Sequence, residues 1–230
     1  MQQQTITGPG ATQGQDVSPS QLPLEKPLYP RLLGANWDAL DARLKHFHWI
    51  TGTRHGSGRF EIRYGQARLA RSLARLLRLP QEGRDVPTTL AIRREHIPNR
   101  EIGDAEKWER TFGSRKLCSL QYACRQKFLV ECFGILEMRF LLDACDRALL
   151  FHPVGTALAI GPLRLRLPLR LSLQVHARVA GLEGPPNRLG VTVSVAAPWV
   201  GLILSYEGYL ESQYLNPDDE IMKRGPDTNS

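Results

Sequence analysis

LRLRLPLRLSLQVHARV, residues 163–179, alternates without a break. Leu163, Leu165, Leu167, Leu169, Leu171, Leu173, Val175, Ala177 and Val179 take the odd positions, and mostly polar or basic residues take the even ones. Successive side chains of a strand point to opposite faces, so a period of two predicts one apolar and one wet face. Strands of that kind favour an antiparallel sheet around a core, because parallel strands are usually apolar on both sides. Seventeen residues at about 3.3 Å each would reach about 55 Å, longer than a usual strand. Pro168 cannot donate to a central ladder. The run is therefore expected to break there, at an edge, a bulge or a gap between two strands.

Working outward, strands are expected at 88–97, 106–112, 116–125, 127–133, 135–143, 145–151, 189–197 and 201–211, many separated by turn residues such as Gly103-Asp104 and Gly113-Ser114. A shorter alternation at Arg59–Tyr64 follows a Gly-, Thr- and Ser-rich loop expected at 51–58. Leu33, Trp37, Leu40, Leu44 and Phe47 have helical spacing, with Asn36 as the expected N-cap. In Gln66–Leu79 leucines 69, 73, 76 and 77 form one stripe expected to pack, and Arg68, Arg71, Arg75 and Arg78 another; Pro80 ends that helix. So many amphipathic strands in succession must curl or split. The expected class is α+β, mainly β: a curved antiparallel sheet or barrel-like half-barrel of 8–10 strands, with two main N-terminal helices.

Residues 27–215 are expected to form a single globular domain. Residues 1–26 are rich in Gln, Gly, Ser, Thr and Pro and are expected to be a disordered tail, and 216–230 a flexible one. The N-terminal stretch lacks the basic start and apolar run of a secretory signal, and no run approaches the ~18 apolar residues of a membrane span. Cys118, Cys124, Cys132 and Cys145 lack the close pairs of a zinc site and are expected to be reduced core residues of a cytoplasmic protein.

The formal charge is +7, with 24 arginines and 6 lysines. The arginine stripe 68, 71, 75, 78 is a candidate for an anionic surface, such as membrane headgroups or an acidic partner; its bland alternative is a solvated face. Nucleic acid is disfavoured, because the neighbouring strands offer no set of exposed aromatics for stacking bases. Alternation places Trp108, Arg110 and Phe112 on one face, where an inward arginine needs a partner. Glu131, amid apolar neighbours, is the natural one. The pair is either an anion-binding or ligand-orienting device in a cavity, or a structural ion pair, or else the face points outward with its aromatics exposed. His46 and His48 form H-x-H at a helix end, but helical positions two apart point away from each other, so no metal is expected. Neither a G-x-S-x-G elbow nor a G-x-G-x-x-G between strand and helix is present, and no cofactor is expected.

LYPRLLG at 28–34, GRFEIRYG at 58–65, LARLLRLP ending at Pro80, Trp108–Phe112 (WERTF), Val130–Gly134 (VECFG), Pro198–Gly201 (PWVG) and Tyr206–Leu210 (YEGYL) together resemble domain of unknown function 4166, a family of uncharacterised bacterial domains. The resemblance runs from about Leu28 to Glu211. It implies a fold expectation and no catalytic residue. Similar domains occur alone, after saccharopine-dehydrogenase-type dinucleotide-binding domains, or attached to membrane segments; neither attachment is read in this sequence. Trp108, Arg110, Glu131 and Tyr206 are the candidate ligand-binding residues. The expected function is a non-enzymatic module taking a hydrophobic or amphipathic small molecule or a protein partner. The alternative is an enzyme, or an accessory domain to an oxidoreductase, with a pocket around Arg110 and Glu131.

Overall fold

A computed structural model describes residues 26–97, 103–125 and 127–213. The expected tails at 1–26 and 216–230 lie outside these residues, apart from Lys26. In chain order the elements are α1 (Leu28–Leu33), a 3-10 turn (Gly34–Ala39), α2 (Ala42–His48), β1 (Thr53–Tyr64), α3 (Arg68–Leu76), β2 (Gly83–Ile97), β3 (Gly103–Phe112) and β4 (Arg115–Cys124). Then follow β5 (Phe128–Phe133), β6 (Leu136–Cys145), β7 (Ala148–Ile160), β8 (Leu163–Arg166), β9 (Gln174–Gly181), β10 (Arg188–Ala197) and β11 (Gly201–Gln213).

Each strand pairs antiparallel with its neighbours, and β11 returns to β1. Ten strands thereby close an up-and-down barrel in chain order, with β8 as an inset beside the end of β7. Closure removes the unpaired edges that an open sheet would present. The expected mainly β, barrel-like architecture is present, as a complete barrel with three α-helices.

The 163–179 run divides near Pro168, as its length demands. Arg166 pairs with Ala157 and Ala177 pairs with Phe151, so six steps along β7 face eleven on the other side. β8 and β9 are two halves of one strand line with five extra residues bulged out between them. Thr156 pinches the neck: its carbonyl accepts from Leu167 N at 2.9 Å and its hydroxyl oxygen accepts from Leu173 N at 3.1 Å. Inside the loop the buried Ser172 hydroxyl donates to backbone carbonyls at 3.1–3.2 Å. Val175 and Val179 are buried, but Leu163, Leu165, Leu169 and Leu171 are exposed. The expectation of one buried apolar face thus fails over the first half of the run, because β8 borders only the end of β7 and the bulge swings away from the wall.

Three further expectations need correction. The single helix from Leu33 to His48 is broken: Leu40 is extended (φ −72°, ψ 152°), and Asp41 rather than Asn36 caps α2, accepting from Arg43 N at 2.9 Å. Of the loop expected at 51–58, all but its first two residues instead form the start of β1. Its glycines permit close strand contact: a Cβ on Gly58 would overlap the Tyr209 carbonyl. The cysteines are free, as expected, but none is fully buried: Cys124 and Cys132 pack partly buried against the small cluster of Ala105, Tyr122 and Val130, and Cys118 and Cys145 are exposed, because their strand parity turns them outward.

The helical segment 28–48 plugs one end of the barrel. Tyr29, Leu44, Phe47 and His48 are buried inside, and the Tyr29 hydroxyl donates to Gln121 Oε1 at 2.7 Å. Asp41 ties the plug to the β6–β7 turn by accepting from Arg147 Nη2 at 3.0 Å. Strand alternation places α3 and the turns at 113–114, 134–135, 161–162 and 198–200 together at the opposite end. There the connection from β1 into α3 runs so close to β11 that a Cβ on Gly65 would overlap the Leu202 carbonyl. Ala70 and Ala74 are buried there and Leu73 packs partly buried against the core as expected, whereas Leu69, Leu76 and Leu77 are exposed, contrary to the expected leucine packing.

Candidate functional site: a cavity in the barrel

Ten strands enclose more space than eight, whose interior side chains fill or which hold one small ligand. Here the helical plug takes part of that space, and a cavity of about 170 Å³ remains. Its wall is mostly aliphatic and aromatic, with Phe140, Phe151, Val175, Val193 and Leu210 among its members. The four sequence candidates Trp108, Arg110, Glu131 and Tyr206 all line it. Alternation along β3 and β5 turns Trp108, Arg110 and Glu131 inward, which removes the outward-face alternative, and β11 supplies Tyr206.

Arg110 and Glu131 form the expected ion pair, Nη1 to Oε1 at 3.1 Å. Ser119 on the intervening strand β4 completes a triangle, accepting from Arg110 Nη1 at 2.9 Å and donating to Glu131 Oε1 at 2.7 Å. The Arg110 guanidinium also lies 4.7 Å from the centre of the Trp108 ring. Such a cluster neutralises and satisfies its own charges, which a buried pair requires. Tyr206 packs between Phe60 and Phe112, with ring centres 5.7 and 5.3 Å away. Burial, opposed by Arg110 and reinforced by Glu131, pushes its hydroxyl up to about 12, so the phenol is neutral.

The floor of the cavity holds a residue that sequence reasoning weighed only as a metal ligand. His48 is fully buried at the end of α2, its ring centre 3.9 Å from that of Tyr29. Burial, with the charge of Arg54 second, drives its pKa down to about 3. The imidazole is therefore neutral, with one donor and one acceptor nitrogen. Among the described residues, neither nitrogen has a hydrogen-bond partner. Buried polar groups are nearly always satisfied, so two orphaned atoms in one cavity-lining ring call for an explanation. A sequence signal was available: Leu44 and His48 are four apart, which puts His48 on the buried stripe of its helix.

Outside the cavity wall, Glu106 lies on the inward face of β3 and accepts from Trp108 Nε1 at 3.1 Å. Burial lifts its pKa to about 8, against the opposing Trp108 hydrogen bond and nearby arginines.

The model of a domain of unknown function, DUF4166, matches residues 40–210, which run from the start of α2 to near the end of β11. The chain belongs to this family. Comparisons with curated proteins and with solved structures return no match. The DUF4166 fold in this chain is thus a closed ten-stranded barrel, and the cavity lies wholly within the matched span except for Tyr29. Among the described residues no three His, Cys, Asp or Glu side chains gather into a metal-ligand group, and no helix is long and apolar enough to cross a membrane. Of the surface candidates, Arg68, Arg71, Arg75 and Arg78 lie on or just beyond α3, at the end of the DUF4166 barrel opposite the plug and apart from the cavity candidates.

Proposed function

We propose that this barrel binds a small apolar or amphipathic molecule whose neutral polar end hydrogen-bonds His48. The observation that carries the reading is the unpartnered, neutral His48 ring on the wall of an otherwise apolar cavity. A hydroxyl or carbonyl would supply the missing partner, and the apolar body would lie against Val175 and Val193. A cavity of about 150 Å³ takes a benzene-sized molecule, which sets the scale of a ligand for about 170 Å³. A charged head is less suited: Arg110 and Glu131 already cancel each other, and burying another charge is costly. The reading is of a binding module rather than a catalyst. An unpaired Glu131 would favour the enzyme alternative, but Glu131 is held by Arg110 and Ser119.

Native mass spectrometry of the full chain purified from its own host tests this. The expected result is a retained small-molecule adduct, absent from a Val193→Trp variant whose indole fills the cavity. A bare mass, together with no rise in melting temperature on adding benzyl alcohol, would reject it.

A further inference from the structure

Large exposed apolar side chains are concentrated at the end of the barrel opposite the helical plug. They come from chain segments far apart in sequence: Leu76 (76 % exposed) from α3, Ile135 from the β5–β6 turn, Leu163 (65 %) from the β7–β8 hairpin, Leu169 (71 %) from the bulge and Trp199 (59 %) from the β10–β11 turn. Scattered exposed leucines are ordinary, but an apolar rim assembled from five segments marks an interaction surface.

The charge at this end is predominantly positive, although it includes the exposed acids Glu82 and Asp85, the latter paired with Arg59. Residues 65–82 carry four arginines and one acid, and residues 161–173 carry three arginines and none. Arg71, Arg75, Arg166 and Arg170 form no ion pair among the described residues. The plugged end is mixed, with Asp38, Asp41, Asp143, Asp146 and Glu183 set against Arg43, Lys45 and Arg147. Like charge opposes pairing of this rim with the rim of a second copy. The chain's own described ends, Lys26 and Gln213, both lie at the plugged end, away from it. The wall between carries ion-paired charges such as Lys116–Glu109 and Arg63–Glu61, which suit water rather than lipid tails.

We infer that the rim of the barrel opposite the plug docks on the surface of an anionic bilayer, with Leu163, Leu169, Leu76 and Trp199 entering the headgroup boundary and the surrounding arginines pairing with lipid phosphates. Apolar insertion combined with basic attraction is the physics of peripheral lipid binding. Trp at the margin fits the interfacial preference of its ring. The site extends the α3 arginine stripe to residues that are distant in sequence, and it stands whether or not the cavity holds a ligand.

Flotation of the full chain with phosphatidylcholine vesicles, with and without phosphatidylglycerol, is the test. The expected result is binding only to the anionic vesicles, weakened at high salt. Leu163→Ser/Leu169→Ser and Arg71→Glu/Arg75→Glu should each lower that binding about tenfold or more. All four positions are solvent-exposed, so the variants should keep the wild-type melting temperature. Arg125→Glu/Lys127→Glu, the same charge change at the plugged end, should leave binding intact. An equal loss in this last variant would show attraction by net charge alone and overturn the rim assignment. So would unchanged binding in the rim variants, or absent vesicle binding with self-association that the rim variants abolish. A Val193→Trp protein that still floats would separate this inference from the cavity reading.

Discussion

At the scale of single residues, the interior sets a conflict between solvation and packing. Burial holds His48 neutral, with its pKa down to about 3 from 6.5, and Glu106 protonated, with its pKa up to about 8 from 4.5. Above pH 4.5 the unfolded chain releases the glutamate proton while the folded chain keeps it. Stability from Glu106 is therefore whole below that pH and is lost as pH rises toward 8. His48 has the opposite sign: its contribution is whole above pH 6.5 and is lost as pH falls toward 3. Together they predict a plateau between pH 4.5 and 6.5, where the two slopes cancel, and a fall of about 2 kcal/mol on each side by pH 3 and pH 8. Urea midpoints from pH 3 to 9 check this. Glu106→Gln should flatten the alkaline limb, and His48→Phe the acid one. His48→Phe should also leave the protein as stable or more so at neutral pH, since it removes two unsatisfied buried nitrogens. An unstable variant would mean that His48 has a structural partner. Arg110→Ala strands the Glu131 carboxylate and should cost about 3 to 5 kcal/mol by chemical denaturation, whereas Arg110→Met/Glu131→Met should recover most of it.

At the scale of elements, hydrophobic period and burial proved to be separate matters. Alternation identified β1 from Arg59 onward, most of β2 to β7, and the inward face bearing Trp108, Arg110 and Glu131. It says which residues share a face and is silent on whether anything covers that face, which is why Leu163 to Leu171 read as core and yet meet water. Helical spacing had a similar blind spot. Leu33, Leu40, Leu44 and Phe47 all reach the core, but their spacing does not register that the backbone turns at Leu40 to enter the barrel end. Glycine had two meanings at 51–58, turn or close strand contact, and only the approach of β11 to Gly58 decides between them. The bulge provides a test at this scale. Deleting residues 168–172 brings Leu167 next to Leu173, both already bonded to Thr156, and fills the register of β7. The deletion should retain the far-ultraviolet circular dichroism spectrum, with stability changed by no more than about 1 kcal/mol. Loss of cooperative unfolding would show the bulge to be a structural clasp.

At the scale of the whole molecule, a meander of ten strands makes a barrel too wide for its own side chains, plugged by helices at one end and rimmed by leucine, tryptophan and arginine at the other. Closure was not legible in the sequence, because pairing β11 with β1 joins segments about 150 residues apart with no local signal. Trp108, Arg110 and Glu131 were legible through strand parity and Tyr206 only through the YEGYL motif; His48 stood in plain view on its helix stripe and acquired meaning only when the barrel enclosed it. The central claim is that the enclosed space accepts a small molecule and that His48 meets its polar end. Nuclear magnetic resonance titration with benzyl alcohol measures this most directly. The account predicts saturable shifts at the Val175 and Val193 methyls together with a change in the His48 ring nitrogens. Shifts confined to the outer wall, or none at all, would contradict it.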